Sequence, residues 1–181
     1  MAKSDYKIIF TGPVGAGKTT AIASISDSAP VMTDTKASDM TKSRKSQTTV
    51  AMDYGILKLE DGEHIHLYGT PGQERFDFMW DILTTGGIGL VLLVDNTREN
   101  PMTDLKFFLN SFKDFIAETS VVIGVTQMDN ENKPAIDDYR TELKKMPLNP
   151  PVFEVDARQK KDVSLLVQAL LFTLDPSINE V

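Results

Sequence analysis

An α/β fold, built on a doubly wound, mostly parallel six-stranded sheet with one antiparallel strand, is predicted by three observations. First, Ile88–Val94 (IGLVLLV) and Val121–Val125 (VVIGV) are nearly continuous apolar runs, as strands covered on both faces must be. Second, Leu105, Phe108, Leu109, Phe112, Phe115 and Ile116 recur at helical spacing between them, over Met102 to Ile116. Third, a β-favouring run, Tyr6–Thr11, ends in a glycine-rich turn that opens into a helix from Lys18 to Ser26, with Ile22 and Ile25 facing inward. Strands that alternate with helices need crossover connections, and crossovers make a sheet parallel.

The other elements follow in order. Ser28 to Thr48 holds few large apolar residues and no periodicity, and reads as a long connection of the kind that usually carries function. Thr49 to Leu59 alternates as a strand, and Asp61-Gly62 supplies a hairpin turn into Glu63–Tyr68, which makes one strand antiparallel. Pro134 begins a helix ending near Met146, Val152–Val155 is a short strand, and Val163–Leu174 is an amphipathic helix. No internal repeat interrupts the pattern. The 181 residues are expected to form one domain, 1–181.

Composition narrows the classes. With 19 basic and 26 acidic residues the formal charge is −7, which disfavours nucleic acid as a main partner because phosphate backbones demand clustered Lys and Arg. The absence of cysteine excludes disulfides, thiol chemistry and prenyl or palmitoyl anchors on this chain. Ala2 excludes N-myristoylation. MAKSDYKIIF is too short in apolar run for a signal peptide, and no apolar stretch has the length of a membrane span. A cytoplasmic location with no lipid anchor is the expectation.

Gly12 to Thr19, GPVGAGKT, matches G-x-x-x-x-G-K-[ST] after a strand and at the start of a helix, the context that its mechanism requires. Val14, Gly15, Ala16 and Gly17 would wrap backbone N–H groups around phosphate, and the helix carrying Thr20 adds its dipole. Lys18 would reach the β- and γ-phosphates, and the Thr19 hydroxyl would ligate Mg²⁺.

Three further stretches, with the phosphate loop, resemble the Ras-like small GTPases of the P-loop NTPase class, and the resemblance covers essentially the whole chain. Thr49, in TTVAMDY, sits where that family places the threonine that senses γ-phosphate and Mg²⁺. GTPGQERF, from Gly69, resembles the second switch, with Gly72 at the γ-phosphate and Gln73 at the place of the water-orienting glutamine. TQMD resembles the guanine-reading loop: Thr126, Gln127 and Asp129 would surround the base, with Asp129 accepting from guanine N1–H and the 2-amino group. DAR resembles the closing base loop, with Ala157 and Arg158 beside guanine O6. Within the family, GTPGQERFDFMWDIL, GLVLLVDNT and VFEVDAR are most similar to bacterial members, such as the polarity GTPase of gliding bacteria and the small GTPases encoded beside Roadblock-type proteins. The resemblance implies a molecular switch binding GTP or GDP with Mg²⁺. Its switch regions would fall at about 28–49 and 69–84, and its partners would be a Roadblock-type regulator and an effector.

The sequence departs from that pattern at four places. Gly69 replaces the aspartate that usually steadies Mg²⁺, Val14 replaces a glycine beside the γ-phosphate, Gln127 replaces the lysine covering the guanine ring, and Thr126 replaces asparagine. Asp53 shares strand parity with Thr49 and Ala51, on a strand paired with the one ending at Gly69, and is a candidate metal residue; a solvent-facing or capping role is the alternative. Asp95, ending the Ile88–Val94 strand, reads as a turn or helix cap. Arg44, between Lys42 and Lys45, is a candidate arginine finger in cis, against a solvated charge run. Arg75 reads as a structural ion pair, Phe76, Met79 and Trp80 as one buried face, and Phe78 as pointing toward a partner. His64 and His66, lacking neighbouring Cys or acidic residues, read as solvent-facing. Two other readings stand beside slow, partner-stimulated GTP hydrolysis. One is a GTP-binding module with negligible hydrolysis; the other is a small-molecule kinase, which would need an arginine-rich cover that Arg140 and Arg158 alone do not supply.

Overall fold

The computed structural model describes residues 5–28, 31–32, 52–74 and 77–175, with backbone alone at 31–32. Along the chain run β1 (Asp5–Thr11), α1 (Lys18–Ile25), β2 (Val31–Met32), β3 (Asp53–Lys58), β4 (His64–Gly69), α2 (Phe78–Thr84) and β5 (Gly89–Asp95). There follow α3 (Pro101–Ser111), α4 (Lys113–Glu118), β6 (Val121–Thr126), α5 (Ile136–Lys144), β7 (Val152–Glu154) and α6 (Lys160–Leu174). The strands form one sheet in the order β2-β3-β4-β1-β5-β6-β7. Six are the predicted strands, and β2 adds a two-residue strip at the edge. β4, β1, β5, β6 and β7 are parallel neighbours, while β3 runs antiparallel to β4 and to β2.

Alternating side chains split the core into two layers. Ile8, Phe10, Ile65, Leu67, Val91 and Leu93 face α1 and α6. Ile9, Leu90, Leu92, Val94, Ile123 and Val125 face α2 to α5. The Asp61-Gly62 hairpin is as predicted: Gly62 has φ +83°, and Asp61 accepts from the Glu63 N–H at 3.0 Å.

Two helices differ from the periodicity. The Met102–Ile116 pattern is two helices, because Phe112 (φ −102°, ψ 13°) leaves helical geometry; Phe112 and Ile116 are both buried. α6 starts three residues before Val163, because its first turn is polar and Asp162 is used to accept the Asp156 N–H. Among the described residues no helix is long and apolar enough to cross a membrane.

Candidate functional site

Three loops meet beyond the carboxyl ends of the parallel strands, the edge where open α/β sheets bind ligands. After β1, Gly12, Gly15 and Gly17 take φ values of +144°, +82° and +98°. A Cβ on Gly12 would overlap the Leu93 carbonyl oxygen, so a side chain there would collide with β5. Lys18 opens α1, and its buried ammonium donates to the Gly12 and Pro13 carbonyls at 2.7 and 2.9 Å. Burial pulls it down from the ordinary 10.5 to about 8; nearby Asp53 opposes that shift and Arg98 adds to it. The loop is thus folded around the cation that an incoming phosphate would take over.

Asp53 and Gly69 are direct partners across β3 and β4. Thr19 Oγ1 donates to Asp53 Oδ2 at 2.6 Å. A Cβ on Gly69 would lie 3.0 Å from the Asp53 Cβ and 3.1 Å from Oδ2. A side chain at Gly69 would therefore press on Asp53, and its absence leaves the Asp53 carboxylate room beside Thr19. This pair brings one hydroxyl and one carboxylate to the phosphate end of the site, a donor set that fits Mg²⁺. Among the described residues no three His, Cys, Asp or Glu side chains form a metal cage, so a cation here would take its remaining ligands from phosphate and water.

The stretch after β4, from Thr70, starts on the other side of the loop. Thr70 shares a buried 2.7 Å hydrogen bond with Thr11, and its N–H donates to the Phe10 carbonyl. Gly72 sits so close to the phosphate loop that a Cβ would be 2.6 Å from the Val14 nitrogen and 2.8 Å from Lys18 Nζ. Val14 is 54% exposed, and Gln73 is exposed directly after Gly72.

The third part is a cavity of about 670 Å³ running from the phosphate loop to the ends of β6 and β7. Its lining includes Gly15, Ala16, Gly17, Thr20, Thr126, Gln127, Asp129, Ala157 and Arg158. Thr126 ties the loops together: its buried hydroxyl lies 3.1 Å from the Ala16 carbonyl and 3.2 Å from that of Val94. Gln127 takes a positive φ of 60°, a left-handed turn that costs a non-glycine residue energy. Arg158 pairs with Asp156 at 2.8 Å, and its hydrogen bonds hold that carboxyl down at about 2.

Several expectations fall elsewhere. Thr49, Arg44 with Lys42 and Lys45, Arg75 and Phe76 lie outside the described residues. Asp95 is a turn cap, accepting from the Thr97 N–H at 2.9 Å and hydroxyl at 2.6 Å. Arg140 pairs with Asp137. His64 and His66 lie on the partly exposed face of β4, opposite buried Ile65 and Leu67 as expected, but the expectation that no acid stands nearby is corrected. Asp5 lies 3.8 Å from His64 and 3.7 Å from His66, and the Tyr54 hydroxyl is 2.6 Å from His66 Nδ1. These partners come from neighbouring strands and leave no sequence signal. Sequence reasoning also missed Met128, Glu154 and Asp162 in the base cavity, although each lies within a few residues of a recognised loop.

A phosphate loop continuous with a base-sized cavity at this edge defines a nucleotide-binding, GTPase-like class of protein, and the comparisons with known proteins agree. The family model of a conserved hypothetical ATP-binding protein matches residues 30–175, and the chain belongs to that family. It is similar to the uncharacterized protein MJ1339 of Methanocaldococcus jannaschii, with 31% identity over 98 residues, 54% of this chain and 56% of that protein. Against the Ras-related protein RABE1e of Arabidopsis thaliana it is 26% identical over 144 residues, 75% of this chain and 61% of that one. Against the Ras-related protein Rab-1D of Dictyostelium discoideum it is 25% identical over 163 residues, 87% and 74% of the two chains. The chain thus spans less than two thirds of the length of the first two of these relatives.

Proposed function

We propose that this chain is a small GTP-binding switch of the bacterial Ras-like kind, which hydrolyses GTP slowly by itself and faster with a partner. The observation that carries the reading is the single cavity joining the phosphate loop to Thr126–Asp129 and Ala157. Guanine rather than adenine is the base, although the matching family is described by ATP. Asp129 is an acceptor for two guanine donors; adenine offers neither, and would leave a desolvated carboxylate unpaired.

The residues divide the work. Lys18 exchanges its bonds to the Gly12 and Pro13 carbonyls for bonds to phosphate, and the loop from Val14 to Thr20 supplies N–H donors. Thr19, Asp53 and Thr49 would hold Mg²⁺, which would supply positive charge beside the phosphates. Gln73 orients the attacking water, and Gly72 carries the state of the phosphate into the 69–84 region. Val14 crowds the place where an arginine from another protein would enter, which favours Arg44 as a finger supplied in cis. A Roadblock-type protein is the regulator proposed by resemblance, and the cytoplasm is the proposed location.

Identifying the nucleotide released from the denatured protein, together with single-turnover hydrolysis, tests the reading. GDP and a Gln73→Leu variant slowed at least tenfold are expected. Adenine nucleotides would remove the GTPase reading; bound GTP and an indifferent Gln73→Leu would leave a binding module without hydrolysis.

A further inference from the structure

The loop from Gln127 to Lys133 carries Asp129, yet it has little packing of its own. Gln127 and the residues from Asp129 to Asn132 are exposed, and Met128 packs partly against the core. Both feet of this loop stand on one residue. Asn96, wholly buried just after β5, donates its backbone N–H to the Thr126 carbonyl and its side-chain amide to the Pro134 carbonyl, each at 3.0 Å. A carbonyl can only accept, so the amide must turn its nitrogen toward Pro134 and its oxygen the other way. There the hydroxyl of Tyr139, wholly buried on α5, donates to Asn96 Oδ1 at 2.6 Å. Lys133 adds a tie from its ammonium to the Arg98 carbonyl at 2.8 Å, on the same turn. At the near foot, the Thr126 hydroxyl meets the Ala16 carbonyl of the phosphate loop, and Gln127 beside it is held in its left-handed conformation.

We propose that Asn96, oriented by Tyr139, is a positioning residue that sets the span of the base-reading loop and so determines how selectively and how long the base is held. The proposal rests on the guanine reading of Asp129. Packing by itself does not call for polar groups here, since apolar side chains of similar volume would fill the space without desolvating a hydroxyl and an amide. A polar network whose members are all satisfied instead fixes one geometry. Geometry matters because one carboxylate, that of Asp129, must meet two donors, guanine N1–H and the 2-amino group. A loop freed at one foot relaxes the strain at Gln127 and moves the carboxylate off that two-point contact. Phosphate is met by Lys18 and Thr19 on another element, so the reacting end stays in place. The effect falls on base recognition and release, and not on the chemical step.

Three variants test this: Asn96→Leu, which removes both bonds of the amide; Tyr139→Phe, which removes one hydroxyl and keeps the ring; and the two together. The measurements are the dissociation rate of fluorescent GDP, the affinity ratio of GTP to ITP (whose base lacks the 2-amino group), single-turnover hydrolysis of bound GTP, and urea unfolding. Asn96→Leu is expected to release GDP about tenfold faster and to lose most of its preference for GTP over ITP. Tyr139→Phe should change both about threefold, with bound GTP hydrolysed within about twofold of the wild-type rate. Because Tyr139 acts through Asn96, the double variant should match Asn96→Leu. Val121→Ala, at the far end of β6, controls for lost stability and should leave release and preference unchanged. Unchanged release and preference in Tyr139→Phe, which keeps its packing even where Asn96→Leu fails to fold, would overturn the proposal. Equal changes in Val121→Ala, or losses that add in the double variant, would do the same. A wild type that loads ATP and not GTP would defeat the guanine reading; the release of ATP from the same variants then decides whether Asn96 positions the loop.

Discussion

On one side of β1, β5 and β6 are buried at every residue; on the other, β4 buries alternate positions and β3 buries Gly55 alone, which leaves one face half-covered. The two sides supply different parts of the site. The buried side carries the cavity proposed for the base, whose loops are braced by Thr126 to Ala16 and Val94 and by Asp162 to the Asp156 N–H. The open side reaches the phosphate loop through Asp53 and Thr19 and through the close seat of Gly72. Under the proposed function, the braced half would read the base, a task that is the same in every nucleotide state. The open half, which meets the phosphate loop through Asp53, Thr19 and Gly72, would under the same proposal be the one to change with nucleotide state.

Four variants would break or sharpen this contrast. Lys18→Ala acts where the halves meet and should have the largest effect. Losing a charge-assisted hydrogen bond costs about 1.5–3 kcal/mol, and two to phosphate imply a loss of roughly 10²–10⁴ in GTP affinity. Calorimetric titration measures it, with circular dichroism showing a folded chain; near-wild-type affinity would place phosphate binding elsewhere.

Asp129→Asn should touch the base half alone. GTP affinity is expected to fall about tenfold or more, and preference over xanthine nucleotide to relax. Hydrogen exchange in β3 and β4 should stay as in the wild type. Altered exchange there would mean that the halves are not separable.

Gly69→Asp tests the open half. Its Cβ would already stand 3.0–3.1 Å from the Asp53 side chain, so a second carboxylate would be crowded beside the first, and like charges so placed oppose each other. Magnesium-dependent nucleotide affinity should drop, and Asp53→Ala combined with Gly69→Asp should recover part of it. The coupling expected from contacting residues is about 1–3 kcal/mol. Additive losses would show that the two positions do not share one role.

Thr126→Val should have the smallest effect, about 1 kcal/mol in urea unfolding, since it removes one buried hydroxyl that braces two carbonyls. An equal or larger change in the exchange of the open half would contradict the division of labour.

Much of this was legible beforehand, for identifiable reasons. The strands Ile88–Val94 and Val121–Val125 announce themselves because full burial demands an unbroken apolar run. The phosphate loop does so because left-handed backbone and close approach leave glycine little competition, as Gly12 against the Leu93 carbonyl illustrates. The break at Phe112 was hidden, because an apolar period continues through a kink that keeps both flanking faces buried.

By itself the sequence determined the order and type of most elements, the phosphate loop, and the candidacy of Asp53, because burial and backbone conformation act on neighbours along the chain. Only the tertiary structure decided that a side chain at Gly69 would crowd Asp53, that Asp5 and Tyr54 attend the histidines, and that Trp80 reaches back to Pro71. Each of those facts depends on the register between strands or on the angle at which a helix docks. Register and docking are set by the packing of the whole core, and no local pattern of residue types records them.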